Sequence, residues 1–208
     1  MIKIIKPKLL TIQEESSLKE NLDSYENYSF KDETISDTDF SYLEFNGCIF
    51  TNVKFVDCKF IKTNFVDCVF NNCDLSTMNF SESVFYRIEI NECRLSGTDF
   101  GGSGFTNISI VNSNCSYSNF SYSKFKNVLI EKSNFLSGAF NEVKLEQVEF
   151  SKNDFTKVEF IHTSLKDIDM STSIISGITL TINDIKECIV TEEQAIELVS
   201  LLGIKIKR

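Results

Sequence analysis

The sequence predicts one continuous coil that turns every five residues, and three observations carry that expectation. All 19 phenylalanines fall at residue numbers divisible by five, from Phe30 to Phe160, and the rest of that series holds apolar residues such as Ile35, Leu75, Leu95, Cys115, Met170 and Leu180. Two places before them recur small or slim side chains, among them Cys48, Val53, Cys58, Thr63, Cys68, Cys73, Ser83, Cys93 and Thr98. The three remaining positions are rich in Asn, Asp, Ser, Lys and Glu, as a solvated and frequently turned surface would be. A helix repeats its apolar positions every three or four residues and a simple strand every two, so a strict five requires another geometry.

In chain order, residues 1–27 precede the regular repeat and are expected to cap its first coil, with a short helix around Ser16 to Leu22. The opening MIKIIKPKLL is apolar but broken by Lys3, Lys6, Pro7 and Lys8. It is a poor signal peptide and too short to span a membrane, which makes the cytoplasm the expected location. From residue 28 to 187 no insertion shifts the phase, and no Pro-rich or Gly-rich linker divides the chain, so a single domain is expected. In residues 188–208, Thr191 with Gln194 three places on has the pattern of a capping box. Ala195, Ile196, Leu198, Val199, Leu201 and Leu202 suit an amphipathic helix ended by Gly203, and Ile204 to Lys207 alternates like a short strand.

The five-residue unit resembles the pentapeptide-repeat pattern A(D/N)LXX, with clear copies in CDLST (Cys73 to Thr77), TDFGG (Thr98 to Gly102) and SNFSY (Ser118 to Tyr122). The resemblance implies an all-β fold: a right-handed quadrilateral parallel β-helix with four pentapeptides per coil, closed by a C-terminal capping or dimerisation α-helix. At twenty residues per coil, residues 28–187 supply eight coils, roughly 38 Å of rod at about 4.8 Å per strand. Stepping by twenty then stacks Phe40, Phe60, Phe80, Phe100, Phe120, Phe140 and Phe160 on one face, and Phe45, Phe65, Phe85, Phe105 and Phe125 on the next.

Chemistry is sparse along such a rod. Five of the seven cysteines occupy the small inward position and Cys115 a large one, so six read as core filler, while Cys188 lies beyond the last full coil. Cys48 with Cys68, and Cys73 with Cys93, should stack one coil apart, but a reducing compartment keeps such thiols free. No CxxC pair favours zinc, and no cofactor is implied. The sole histidine, His162, takes an outward position with no assignable catalytic partner, and GGSG (Gly101 to Gly104) lacks the lysine of a phosphate loop. The chain therefore reads as a binder and not an enzyme.

The chain has a formal charge of -9, of which residues 28–187 carry -8, divided by face into -3 around Phe30, -2 around Ile35, -3 around Phe40 and 0 around Phe45. A basic footprint for nucleic acid is missing. The acidic candidates for a partner surface are Asp39, Glu82, Asp99, Glu142 and Glu159 on the Phe40 side, interrupted by Lys59 and Lys62. An acidic surface that serves only solubility is the plain alternative.

TSLKDIDMS (Thr163 to Ser171) and VTEEQAIELVSLLGI (Val190 to Ile204) resemble the Qnr-type quinolone-resistance pentapeptide proteins, especially the chromosomal versions of Gram-positive bacteria. That resemblance implies a partner in type II DNA topoisomerases, gyrase or topoisomerase IV, engaged without catalysis by a rod acting as a DNA mimic. It also implies a two-fold dimer through the C-terminal helix, with Ile196, Val199 and Leu202 as contacts; a helix that only caps its own coil is the alternative. The loops that interrupt the coils of several Gram-negative relatives have no room here. A general interaction scaffold with a partner unrelated to DNA is the rival functional reading.

Overall fold

The structure, a computed structural model, describes residues 2–10, 12–14 and 24–204. The helix expected around Ser16 to Leu22 and most of the strand expected over Ile204 to Lys207 lie outside the described residues. From Ser24 onward the chain is a parallel β-helix in which each residue pairs with the one twenty places on, beginning with Ser24↔Glu44 and continuing to Asp169↔Ile189. Four ladders run the length of the rod, one per face.

Two faces are built from strands: β1 (Gln13–Glu14), β2 (Ser24–Glu26), β3 (Tyr28–Lys31), β4 (Thr34–Ser36), β5 (Glu44–Asn46), β6 (Ile49–Thr51), β7 (Lys54–Val56), β8 (Asn64–Val66), β9 (Val69–Asn71), β10 (Val84–Asn91), β11 (Gly104–Val111), β12 (Lys124–Glu131) and β13 (Lys144–Ser151), with only β4 and β7 belonging to a third face. The Phe45 face is the ladder β2–β5–β8–β10, and the Phe30 face is β3–β6–β9–β10. From β10 to β13 each strand runs through the corner and serves both faces. The Phe40 face is held by single bridges, Asp39↔Lys59↔Asn79↔Asp99↔Asn119↔Ala139↔Glu159↔Thr179, and the Ile35 face continues likewise from β7.

The residue just before each large inward side chain explains the difference. On the two bridge faces it is commonly Asp or Asn, whose side chain accepts the N–H two residues on: Asp74 from Ser76, Asp99 from Gly101, Asn114 from Ser116, Asn119 from Ser121, Asn134 from Leu136 and Asp154 from Thr156. These Asx turns compete with a strand ladder and bend the chain. On the strand faces that place is filled by Val84, Glu89, Gly104, Lys124, Leu129 or Lys144, which offer no such bond. The slim inward position also departs from expectation at the corner between the strand faces, where buried Ile88, Ile108, Val128 and Val148 stack; their branched side chains favour extended backbone.

The turn expected in every pentapeptide falls at residue numbers ending in two or seven. From Asn27 to Asp167 every such residue has a positive φ, including Gly47, Gly97 and Gly102. Asn, Asp and Gly tolerate this left-handed conformation best and are frequent there. Every expected aromatic stack is present. Along the Phe40 face, ring centroids from Phe40 to Phe160 lie 4.7–5.3 Å apart, one coil to the next. The neighbouring stack gains Tyr25 at its start, 4.8 Å from Phe45 with the rings nearly parallel. Adjacent stacks meet edge to face, as Phe80 does Phe85 at 61°, the arrangement that ring quadrupoles favour.

Most polar inward residues are satisfied within the stack; the exception is Glu33, two places before Ile35, whose buried Oε1 has no hydrogen-bond partner. The Ser83, Ser103 and Ser123 hydroxyls donate to the carbonyls of Phe60, Phe80 and Phe100, while the Thr63 N–H donates to Ser83 Oγ. Cys48, Cys58, Cys68, Cys73, Cys93 and Cys115 are buried free thiols, as the repeat phase implied, and the Cys73 N–H donates to Cys93 Sγ at 3.3 Å. Burial pushes the Cys68 and Cys115 thiols well above their ordinary range, so they act as apolar filler.

Candidate interaction surface

On the Phe40 face, outward side chains form two parallel columns. The bridge column carries Asp39, Asp99 and Glu159, each three rungs from the next, or about 14 Å. The adjoining corner column reads Tyr42, Lys62, Glu82, Gly102, Tyr122, Glu142 and His162, all with positive φ. All five acidic candidates therefore share one side of the rod, although the structure gives them different surroundings.

Asp39 and Asp99 are turn-forming. The Ser41 N–H donates to Asp39 Oδ1 at 3.0 Å, and hydrogen bonds from Ser41 hold that carboxyl below the usual carboxylate range. Asp99 Oδ1 accepts from the Gly101 N–H at 3.0 Å and from Asn119 Nδ2 at 2.8 Å. Glu82 pairs with Lys62 at 3.3 Å, and Glu159 Oε2 accepts from Asn141 Nδ2 at 3.0 Å. Glu142 is exposed. The large exposed apolar groups nearby are Tyr42, Tyr117 and Tyr122, which are 73%, 63% and 64% accessible. His162 is an exposed corner residue whose backbone N–H donates to buried Asp184. Among the described residues no three His, Cys, Asp or Glu side chains are grouped to hold a metal ion. No described helix is long and apolar enough to cross a membrane.

The neutral Phe45 face is uneven. Lys124 and Lys144 are in register above Gly104, and together with Lys126 they rim a depression of about 520 Å³ floored by Phe125 and Leu145. Lys126 is paired with Glu146 at 3.1 Å. Averaging charge over a whole face hid this cluster, which was visible only by stepping twenty residues along the outward positions.

At the C-terminus the capping box is present. The Gln194 N–H donates to Thr191 Oγ1, and the Thr191 N–H donates to Gln194 Oε1. They open α1 (Glu192–Leu198), which passes into a 3-10 turn over Val199–Leu202 and ends at Gly203 with φ 69°. Leu198 and Leu201 pack against the core, and Gln194 Nε2 donates to the carbonyls of Met170 and Ser173. The helix thus covers the end of its own coil. Of the suggested dimer contacts, Ile196 is 54% exposed and Val199 lines an apolar groove of about 310 Å³ with Ile182, Ile185 and Leu198; the Leu202 side chain lies outside the described residues.

A feature that apolar periodicity does not reveal lies at the other end of the chain. Residues 2–10 run lengthwise along the corner between the two strand faces, from the coil of Glu149 down to that of Asp67. Beneath them Arg87 makes a two-pronged ion pair with Asp67, and Asn127 Nδ2 approaches Asn107 Oδ1 at 3.4 Å.

Comparison with known families agrees with this architecture. The family described as pentapeptide repeats (8 copies) matches residues 35–72, and the pentapeptide repeat region matches residues 63–137. The chain is a pentapeptide-repeat protein. Among solved structures, the pentapeptide-repeat protein HetL, involved in heterocyst differentiation regulation in the cyanobacterium Nostoc sp. strain PCC 7120, is 12% identical; the alignment covers 77% of this chain and 91% of HetL, with a TM-score of 0.50. The plasmid-mediated fluoroquinolone resistance protein QnrB1 is also similar. Full-length QnrB1 is 25% identical over 85% of this chain and 91% of its own, with a TM-score of 0.47. A trypsin-treated QnrB1 variant is 26% identical over 96% and 100%, with a TM-score of 0.45. No curated protein sequence matches this pentapeptide-repeat chain.

Proposed function

We propose that this pentapeptide-repeat protein is of the Qnr type: a non-catalytic acidic rod that binds a type II DNA topoisomerase, gyrase or topoisomerase IV, in the cytoplasm and lowers its sensitivity to quinolones. The observation that carries the reading is the spacing of Asp39, Asp99 and Glu159 in one column of a rigid face, with Glu82 and Glu142 on the adjoining corner. Charges mounted on a hydrogen-bonded ladder need little ordering when a partner arrives. The C-terminal motif adds the subfamily likeness, and the insertion-free coils leave the whole side accessible.

Magnitude limits the form of any DNA mimicry. Duplex DNA has one charge per about 1.7 Å, so roughly 38 Å of it carries about 22 charges. The whole chain carries a formal -9, and imitation must rest on shape and local placement. The test is supercoiling by purified gyrase, with and without a quinolone, across a titration of this protein. Rescue of supercoiling, or inhibition by the protein alone, supports the reading, and no effect in either assay removes it.

A second reading, a scaffold for a partner unrelated to DNA, is favoured by the turn-forming bonds of Asp39 and Asp99 and the Glu82–Lys62 pair, which give those charges structural tasks. Changing Glu82, Asp99, Glu142 and Glu159 together to amides separates the two. It should weaken a topoisomerase contact at least tenfold with the fold intact, whereas a scaffold partner unrelated to this side would bind unchanged. We extend the proposal to a two-fold dimer through exposed Ile196 and half-buried Val199; sedimentation should show a pair that Ile196→Lys converts to monomers.

A further inference from the structure

Residues 2–10 bind the rod chiefly through main-chain donors. The Ile2 N–H donates to Glu149 Oε2 at 3.0 Å, the Ile5 N–H to Asn107 Oδ1 at 3.4 Å and the Lys8 N–H to Asp67 Oδ1 at 2.8 Å. Lys6 Nζ lies 3.3 Å from Glu89 Oε1. The donors recur every third residue, and each step moves two coils along the rod. Two coils span about 9.6 Å at the usual strand spacing. Three residues of a polyproline II segment span about 9.3 Å, so the two repeats are commensurate. Pro7 falls between donors, where its missing N–H costs nothing.

The acceptors belong to the corner and not to the arm. Asp67 and Asn107 are only 5% and 4% exposed, while Ile5, Leu9 and Leu10 of the arm remain 48%, 41% and 71% exposed. Ile2, Ile4 and Pro7 are half-buried, so apolar packing adds to the main-chain bonds. Any extended chain that presents an N–H every third residue, with a lysine opposite Glu89 and residues that fit where Ile4 and Pro7 are half-buried, meets the same acceptors. The groove's acidic lip complements a basic segment.

We propose that this corner groove is a docking site for an extended, lysine-bearing, proline-tolerant segment of another polypeptide, and that residues 2–8 occupy it as a tethered competitor. Tethering gives the arm a high effective concentration, so free ligands bind weakly until the arm is displaced. The surface is separate from the Phe40 side, so failure of one proposal leaves the other standing.

The test uses the full chain with Ile5→Pro and Lys8→Pro, which removes two of the donors without altering the rod. Tryptic cleavage after Lys3 should accelerate at least fivefold, with the melting temperature of the rod unchanged; unaltered cleavage there would show that these bonds do not hold the arm and would overturn the proposal. Two labelled peptides are then titrated by fluorescence anisotropy: residues 2–10 of the natural sequence, and an alanine-rich peptide that keeps only the Lys-Pro pair at matching places. Both should bind the variant at least tenfold more tightly than the parent. A one-residue glycine insertion after the peptide's Ile5 should abolish the gain by breaking the three-residue period, and Glu89→Gln in the protein should remove most of its salt dependence. Binding by neither peptide, or by the natural one alone, would reduce the groove to a private latch and refute a docking site.

Discussion

Asp67 shows how one carboxylate is bent to structural use. Burial by itself would raise its pKa, but the Arg87 ion pair and the Lys8 N–H outweigh that and hold it below the ordinary carboxylate range. A carboxyl with a depressed folded pKa contributes stability that is present above its unfolded value near 3.9 and is lost as pH falls through the folded value. Asp67→Asn should thus cost about 1–3 kcal/mol at neutral pH, and urea titrations of parent and variant should converge below about pH 4. Asp99 supplies the complementary case. Asp99→Ala removes an Asx turn and should cost about 1 kcal/mol, whereas Asp99→Asn keeps the acceptor and should be close to neutral, as thermal melts would show. The Asp and Asn of the repeat were legible as turn residues from their type. Their enrichment on two faces became meaningful only once the backbone bonds were visible; Asp169, which accepts from the Ser171 N–H on the Phe30 face, lies beyond the last strand. The N-terminal arm could not be read at all, because its donors are main-chain groups that leave no side-chain signature.

The C-terminal helix was legible as an element, from Thr191 and Gln194 through Gly203, because a cap is a local bond between named side chains and nearby backbone. What it packs on was not, since Ile196, Leu198, Val199 and Leu201 are all apolar and only the rod decides which of them turn inward. In the structure Leu198 and Leu201 do so, and Gln194 adds a second task by satisfying the carbonyls of Met170 and Ser173 at the end of the ladder. An unpaired ladder end is a template for association. Gln194→Ala should lower stability by about 1–3 kcal/mol and raise light scattering at high concentration, while Gln194→Glu should preserve the bond to the Thr191 N–H and still expose the carbonyls. The strands had a weaker sequence signal. Ile88, Ile108, Val128 and Val148 are larger than the slim residues expected there, and it is this substitution at one corner that lets β10 to β13 run unbroken through it.

Across the whole molecule the core is a set of stacked columns, and Phe100 sits near the middle of the Phe40 column between Phe80 and Phe120 at 5.3 and 4.8 Å. Phe100→Ala should cost about 3–5 kcal/mol in chemical denaturation, because neighbours pinned by ladders above and below cannot collapse into the gap. The same column was the most legible property of the chain, since a core built by translation writes its period directly into the residue numbers. The uninterrupted series of left-handed corners from Asn27 to Asp167 has a consequence for heredity. Each side carries its own inward pair and its own corner, so losing a single codon would leave one side of four residues that cannot reach its corner and would break the ladders there. A duplication of sixty nucleotides, by contrast, would add one coil and disturb nothing beyond it. Genes for such a rod can lengthen or shorten by whole storeys far more readily than by a single step.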